Sequence, residues 1–311
     1  VKHNGKTSLE AYTEPGEKRS CSFERIYFSR GSDYNIYKER KSLGRNLRDR
    51  ILEKIEGDLE NTVFTYVPNT AETAYMGLME SLQEYAADKG VKVRGEKLIV
   101  KDAKMRTFIA DDDSRAALVS HVYDVTYGIV RDHKDTLVVV DDSIVRGTTM
   151  RDSIITMLSR LNPKRIIVVS SAPQIRYPDC YGIDMSKIHK FIAFNALENL
   201  LRRGGKEDEI EKTYYKCLSA IEHERQINCV KDLYDYFTEE EISDEIASIL
   251  TPKNLEVQVD VIYQSLSGLH RACPKHKGDW YFSGDYPTPG GVRVVNRSFV
   301  NYYEKKDVRA Y

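Results

Sequence analysis

Thr136-Leu137-Val138-Val139-Val140-Asp141-Asp142-Ser143-Ile144-Val145-Arg146-Gly147-Thr148-Thr149 is the stretch on which the reading of the fold turns. Leu137 to Val140 form a short, continuous apolar run rich in β-branched side chains. Such a run suits a strand buried on both faces, as strands of parallel sheets are. A polar loop from Asp141 to Thr148 follows, and then Ile154, Ile155, Leu158 and Leu161 recur at helical spacing. Asn162-Pro163 stops that helix, and Arg165-Ile166-Ile167-Val168-Val169 reads as the next strand. Strand, loop, helix and strand within about 35 residues make a βαβ unit, which predicts an α/β fold around a parallel sheet.

Outward from this unit, Thr62 to Val67 reads as a strand stopped by Pro68. Leu43, Leu47, Ile51 and Ile55 recur every four residues and predict one helix, while Ala74, Tyr75, Leu78, Leu82 and Tyr85 predict another up to Gly90. Residues 206–250 read as helical and acidic, and beyond about residue 280 a Tyr-, Gly- and Pro-rich stretch reads as an irregular tail. The polar residues 1–20, with Pro15 and Gly16, read as a linker. The expected organisation is therefore a linker over 1–20, a main unit over 21–200 and a C-terminal helical and irregular extension over 201–311.

Composition narrows the class. The 311 residues are 41% hydrophobic and 31% charged, a balance that supports a sizeable core and excludes a disordered chain. No apolar stretch approaches the roughly 20 residues that span a bilayer, and Val1 to Lys6 is not followed by the apolar core of a signal peptide. Lys+Arg 47 against Asp+Glu 48 gives a net charge of −1, so no global field favours nucleic acid or an anionic membrane as partner. Five cysteines, an odd number in a chain this long, read as reduced thiols or ligands, and the expected compartment is the cytoplasm.

In open parallel sheets ligands sit beyond the carboxyl ends of the strands, so the loop after Val140 is where chemistry is expected. Asp141 and Asp142 leave the strand side by side and could bind Mg²⁺ or hold ribose hydroxyls; a bare Asp-Asp pair also serves as a solvated turn. Ser143, Thr148 and Thr149 offer hydroxyls, and the backbone from Ile144 to Thr149 offers N–H groups at a helix N-terminus. Gly147 lets the backbone approach a ligand closely, and Arg146 adds positive charge. The segment reads as a cradle for a sugar phosphate. The rival phosphate motifs, Gly-x-x-x-x-Gly-Lys-Ser/Thr and Gly-x-Gly-x-x-Gly, do not occur.

These residues resemble the phosphoribosyl-pyrophosphate (PRPP) loop of type I phosphoribosyltransferases, and the form Asp141-Asp142-Ser143-Ile144-Val145-Arg146-Gly147-Thr148-Thr149 resembles the glutamine PRPP amidotransferase family among them. Cys21-Ser22-Phe23-Glu24 with Ile26-Tyr27-Phe28-Ser29-Arg30, Tyr37-Lys38-x-Arg40 with Gly44, Arg106-Thr107-Phe108-Ile109, and Ser171-Ala172-Pro173-Gln174-Ile175-Arg176-Tyr177-Pro178 running into Tyr181-Gly182-Ile183-Asp184-Met185 are similar to further segments of that family, in the same order. The resemblance covers about residues 20–200.

It implies a type I phosphoribosyltransferase fold with a small hood, and an enzyme that converts Mg²⁺-PRPP and ammonia to 5-phosphoribosylamine and pyrophosphate, the opening step of purine synthesis. Ser143, Ile144, Val145, Arg146, Gly147, Thr148 and Thr149 would bind the 5-phosphate. Asp141 and Asp142 would hold ribose and Mg²⁺, with Thr70 assisting the metal, and Lys104, Arg106 and Thr107 would belong to the loop that closes over PRPP. Glutamine as ammonia source, purine nucleotides as feedback ligands and a homo-oligomer follow from the same resemblance, with no nucleic-acid or membrane partner. The family's glutaminase half carries an N-terminal cysteine nucleophile, whereas this sequence opens on Val1. It is read as the transferase half of a larger protein, or as a relative using free ammonia.

Three departures bear on activity. Pro68-Asn69-Thr70-Ala71 stands where the family often has Pro-Asp-Ser-Gly, and Lys101 to Met105 replaces a basic Tyr- and Gly-containing stretch. Val119-Ser120-His121-Val122-Tyr123-Asp124 replaces a segment with two cations, which leaves the pyrophosphate side depleted and keeps a second expectation open: a paralogue that binds PRPP or nucleotide as a regulatory module. Many family members hold an iron–sulfur cluster on four cysteines. Cys21 and Cys180 fall at two of those positions, Gly278 and Tyr281 lie near the other two, and Cys273 is close by, so a cluster is not the favoured reading. A zinc site at His270-x-x-Cys273-x-x-His276 is weaker still.

Overall fold

The computed structural model describes residues 18–101, 123–180 and 185–311, together with residue 14 and the backbone of 2–3 and 6–7. Lys104, Arg106, Thr107, Val119 to Val122, Tyr181 to Asp184 and most of the 1–20 segment lie outside the described residues.

Strands β1 (Thr62–Tyr66), β2 (Arg94–Gly95), β5 (Thr136–Asp141), β6 (Arg165–Ser170) and β7 (Gln258–Tyr263) form one parallel sheet in the order β2-β1-β5-β6-β7. The predicted strand is its centre: Val138 pairs with Phe64 on one side and with Ile167 on the other. Alternate residues feed two cores. Leu137 and Val139 join Ile166 and Val168 on one face, while Val138 and Val140 join Phe64, Ile167 and Val169 on the other. That two-sided burial is why the sequence shows a continuous apolar run instead of alternation. A short antiparallel pair, β3 (Ile99–Lys101) with β4 (Tyr123–Val125), stands outside the main sheet.

Helix α1 (Tyr34–Arg45) packs on α3 (Glu72–Ala87), which with α2 (Arg48–Lys54) covers one face of the sheet, while Leu43 of α1 joins the core of the other face. The single helix expected through Leu43 and Ile55 is in fact two, divided at Asn46-Leu47. Asn46 and Leu47 keep right-handed dihedrals at the division, and the Asn46 side-chain amide donates to the Gly268 carbonyl at 2.8 Å, a tertiary bond that the apolar period does not reveal. Helices α1 and α3 cross at two glycines. A Cβ on Gly44 would stand 1.7 Å from the Ala74 carbonyl oxygen, and one on Gly77 would stand 2.0 Å from that of Lys41, so the two backbones touch directly.

The other face carries the helical run Met150–Ile155, Thr156–Leu158 and Ser159–Leu161, then α4 (Ile192–Arg203), α5 (Glu207–Glu222), α6 (Glu239–Leu250), α7 (Leu266–Ala272) and α8 (Pro289–Tyr303). Asn162, in the left-handed conformation at φ 48°, ends the first run just before Pro163. Two parts of the 201–311 segment differ from expectation. Gln258–Tyr263 is the edge strand of the main sheet, paired along its length with Arg165–Ser170. The stretch beyond residue 280 contains the 15-residue helix α8, capped by the Thr288 hydroxyl and started by Pro289. Among the described residues no helix is long and apolar enough to cross a membrane.

Candidate functional site

At the carboxyl edge of the sheet lies a cleft of about 660 Å³. Asp141, Asp142, all of Ser143 to Thr149, and Thr70 line it together, so every described residue expected to hold PRPP faces one space. The sheet positions the acidic pair. Ser171 N–H donates to the Asp141 carbonyl at 2.9 Å, extending the β5–β6 register by one residue, and the Ser171 hydroxyl donates to the Asp142 carbonyl at 3.1 Å. On the other flank Val67 N–H donates to the Val140 carbonyl at 2.8 Å and brings the turn Pro68 to Ala71 alongside.

Both carboxyls are held above the ordinary aspartate range. For Asp141 the cause is burial and then the neighbouring Asp142 charge, only partly offset by the Asp142 N–H that donates to it at 2.9 Å. Burial likewise raises Asp142, against hydrogen bonds from the Thr70 and Ser143 hydroxyls and the more distant Arg40 charge. Two carboxyls crowded in this way lack positive charge, and the adjoining donors are hard oxygens. The set fits a hard divalent cation or vicinal sugar hydroxyls.

The loop then turns toward a helix N-terminus. Its Val145 carbonyl accepts from Ile192 N–H at 2.9 Å, which ties it to the start of α4, and the Gly147 carbonyl accepts from Arg151 N–H at 2.9 Å. Gly147 has φ 75°, and a Cβ there would meet Ile192 Cδ1 at 2.4 Å and Leu250 Cδ2 at 2.9 Å. Both the sign of φ and the space select glycine. Thr148 and Thr149 stay exposed at the mouth, ahead of the helical turn Met150–Ile155.

Several lining residues carried no role in the sequence. Phe23, Tyr27 and Phe28 form an aromatic wall, with Phe23 and Tyr27 stacked at 6.0 Å and Phe28 edge-on to Phe23 at 5.2 Å. Arg40, buried in α1, fastens that wall by donating to the carbonyls of Arg25, Tyr27 and Ser29 at 3.0, 3.2 and 2.8 Å. Lys101 and Tyr123, paired across β3 and β4, also face the cleft, with the ammonium 5.8 Å from the ring. Burial and the charges of Asp141 and Asp142 push the Tyr123 phenol up. Tyr263, at the end of β7, has a buried hydroxyl with no hydrogen-bond partner among the described residues, and its phenol is raised by burial and by Asp141. No local pattern marks Tyr263; only the sheet order brings it near the pair.

The cysteines do not assemble a metal site. Cys21 pairs in a β-bridge with Gly278, as the resemblance places two cluster positions side by side. A side chain on Gly278 would run into the Trp280 ring at 2.2 Å and the Ser20 carbonyl at 2.7 Å, and Tyr281 donates its hydroxyl to Asp179 beside Cys180. The space is filled by aromatic rings and a tyrosine–aspartate bond, so these residues do not fit an iron–sulfur cluster. Cys273 is buried elsewhere, near Glu39, Arg25 and Arg40, while His270 bonds Asp279 at 2.8 Å. Among the described residues no three His, Cys, Asp or Glu side chains converge as metal ligands.

Comparison with known proteins agrees with this geometry. No family model matches the chain. The amidophosphoribosyltransferase of Pseudomonas aeruginosa is 33% identical over 201 residues, 63% of this chain and 38% of that protein. That of Bacillus subtilis is 35% identical over 179 residues, 56% of this chain and 34% of that protein. The chain thus spans well under half the length of the curated relatives it matches. Among solved structures, the B. subtilis glutamine PRPP amidotransferase complexed with ADP and GMP superposes with a TM-score of 0.53 at 27% identity, covering 88% of this chain and 48% of that one. The fold is that of a type I phosphoribosyltransferase, and in sequence and structure the chain is similar to the C-terminal half of the amidophosphoribosyltransferases.

Proposed function

We propose that this chain is the phosphoribosyl-transferring part of an amidophosphoribosyltransferase, taking Mg²⁺-PRPP and ammonia to 5-phosphoribosylamine and pyrophosphate. One observation carries the reading. An acidic pair short of positive charge and a glycine-turned phosphate cradle line the same cleft at the carboxyl edge of a parallel sheet, in a chain similar to enzymes of that name.

The 5-phosphate lies in the loop from Ser143 to Thr149, where backbone N–H groups and the Thr148 and Thr149 hydroxyls converge at a helix start. Asp141 and Asp142 accept from the ribose hydroxyls, and together with Thr70 they are the residues that would hold Mg²⁺. The cation supplies charge neutralisation for the departing pyrophosphate. The C1–O bond to pyrophosphate breaks as the ammonia lone pair forms the C1–N bond, and the nitrogen then sheds a proton. Carbon C1 gains cationic character on the way, so the cleft acts by positioning, by carboxylates near the ribose and by shedding water. The aromatic wall supplies the dry side. Lys104, Arg106 and Thr107 belong to the covering loop in this proposal, and Lys101 adds positive charge on the pyrophosphate side. Ammonia drawn from glutamine, feedback by purine nucleotides, homo-oligomeric assembly and a cytoplasmic location are parts of the same proposal.

Pyrophosphate release measured with saturating Mg²⁺-PRPP tests it. Release that depends on ammonia supports the transferase. Saturable PRPP or AMP binding with no release at any ammonia concentration replaces it with a regulatory module, and absence of PRPP binding ends both.

A further inference from the structure

Two thiols far from the cleft chemistry meet at the end of α5. Cys217 is fully buried in that helix and Cys229 is buried in the loop after it, and neither is in a disulfide. One amide of α8 holds both. Asn296 Oδ1 accepts from Cys229 N–H at 3.1 Å and from the Cys217 thiol at 3.7 Å. Its Nδ2 donates to the Ile227 carbonyl at 2.9 Å, the same carbonyl that accepts the Cys229 thiol at 3.6 Å. Both thiols are thereby gathered around one side chain, Cys217 bonded to Asn296 itself and Cys229 to the carbonyl that Asn296 holds.

Their surroundings make them unequal. The Cys217 thiol, and behind it Lys216 and Arg225, hold Cys229 below the ordinary thiol range in spite of burial and Asp232. Cys217 is pushed up by the neighbouring Cys229 and by burial. Elsewhere burial moves thiols the other way, Cys21 to about 11 and Cys273 to about 12. Asn296, which clamps the pair, also lines a cavity of about 360 Å³ bordered by Ile221, Arg225 and Arg293.

We propose that Cys217 and Cys229 are a redox dithiol that closes to a disulfide on meeting a hydroperoxide, with Cys229 as the attacking sulfur and Cys217 as the resolving one. The Cys229 thiolate attacks the terminal peroxide oxygen and becomes a sulfenic acid, while the O–O bond breaks and the departing alkoxide or hydroxide takes up a proton. Cys217 sulfur then attacks Cys229 sulfur, the S–OH bond breaks, and the hydroxyl leaves as water with the Cys217 proton. Two thiols and one hydroperoxide give one disulfide, one alcohol (water, for hydrogen peroxide) and one water. The bond ties the C-terminal half of α5 to the loop before the helix Lys231–Tyr234.

The test titrates the full chain with hydrogen peroxide, alkylates the remaining thiols under denaturing conditions and maps peptides without reduction. The expected first product is a peptide pair joined through Cys217 and Cys229, lighter by two hydrogens and restored by dithiothreitol. It precedes oxidation at Cys21 and Cys180, which are more accessible. Oxidation of Cys21 or Cys180 while Cys217 and Cys229 remain alkylated overturns the proposal. In Cys217→Ser the stalled sulfenic acid on Cys229 takes a dimedone label, and in Cys229→Ser Cys217 takes none; the reverse pattern, or a label in neither, overturns the assigned order. The peptide map of the unaltered chain decides the case even where a variant fails to fold.

Discussion

Asp141 and Asp142 hold the proposed site at the scale of single residues, and their crowding makes an unusual prediction about stability. Each carboxyl is raised by burial and Asp141 also by its neighbour, so neither charge stabilises the ligand-free fold. Replacing both with Asn keeps the N–H and hydroxyl partners near an amide oxygen and removes the repulsion. The melting temperature should stay within a few degrees, the scale of about 1 kcal/mol in a chain of this size, while Mg²⁺-dependent PRPP binding by calorimetry falls below detection. A variant that unfolds, with binding lost only in proportion, would show that the pair anchors the loop instead. The pair was legible because a strand run ended on it. Tyr263 was not, because a lone tyrosine carries no period, and its place near Asp141 depends on a sheet order no local window contains.

Element boundaries show the same division. Strands β5 and β6 declare themselves through unbroken Val and Ile, but β7 mixes Val259, Val261 and Ile262 with Asp260, whose carboxylate pairs with Lys54 at 2.9 Å and Arg165 at 3.6 Å. Helix α8 was hidden by Pro289-Gly290-Gly291, which read as breakers although they form its first turn under the Thr288 cap. The β2 edge is held by an ion cluster that pattern reading also passes over. Asp135, fully buried just before β5, takes two bonds from Arg94 of β2 at 2.7 and 2.9 Å and two from the Arg131 side chain at 2.6 and 2.9 Å. Burial alone would raise its carboxyl, but the two guanidiniums outweigh burial and hold it at about 2. A depressed folded-state value stabilises above the unfolded value of 3.8 and is lost as pH falls through the folded one. The contribution is about 2 kcal/mol, present at pH 5 and fading between about pH 4 and 2. In urea titrations the stability gap between wild type and Asp135→Asn should close over that window; a gap independent of pH would remove the ion cluster from the account.

At the scale of the whole molecule, the sheet is completed from the far end of the chain. A chain ending after residue 200 would keep every residue proposed to touch PRPP, yet it would lose β7, α5, α6 and α8 and leave β6 with an unpaired edge beneath uncovered apolar residues. It should melt without a cooperative transition by circular dichroism and elute as aggregates; a sharp transition like that of the full chain would show that residues 21–200 fold alone. The glycine crossing of α1 and α3 has a consequence of another kind. Helix α3 follows the Thr70 turn, and α1 carries the Arg40 that fastens the aromatic wall. With backbone against backbone at Gly44 and Gly77, no side chain remains between the helices to give way. Two sides of the cleft are thus mounted on a single stiff bracket. Its jaws keep a fixed gauge, and a bulkier or slimmer guest is met by the rest of the lining, Lys101 and Tyr123 among it.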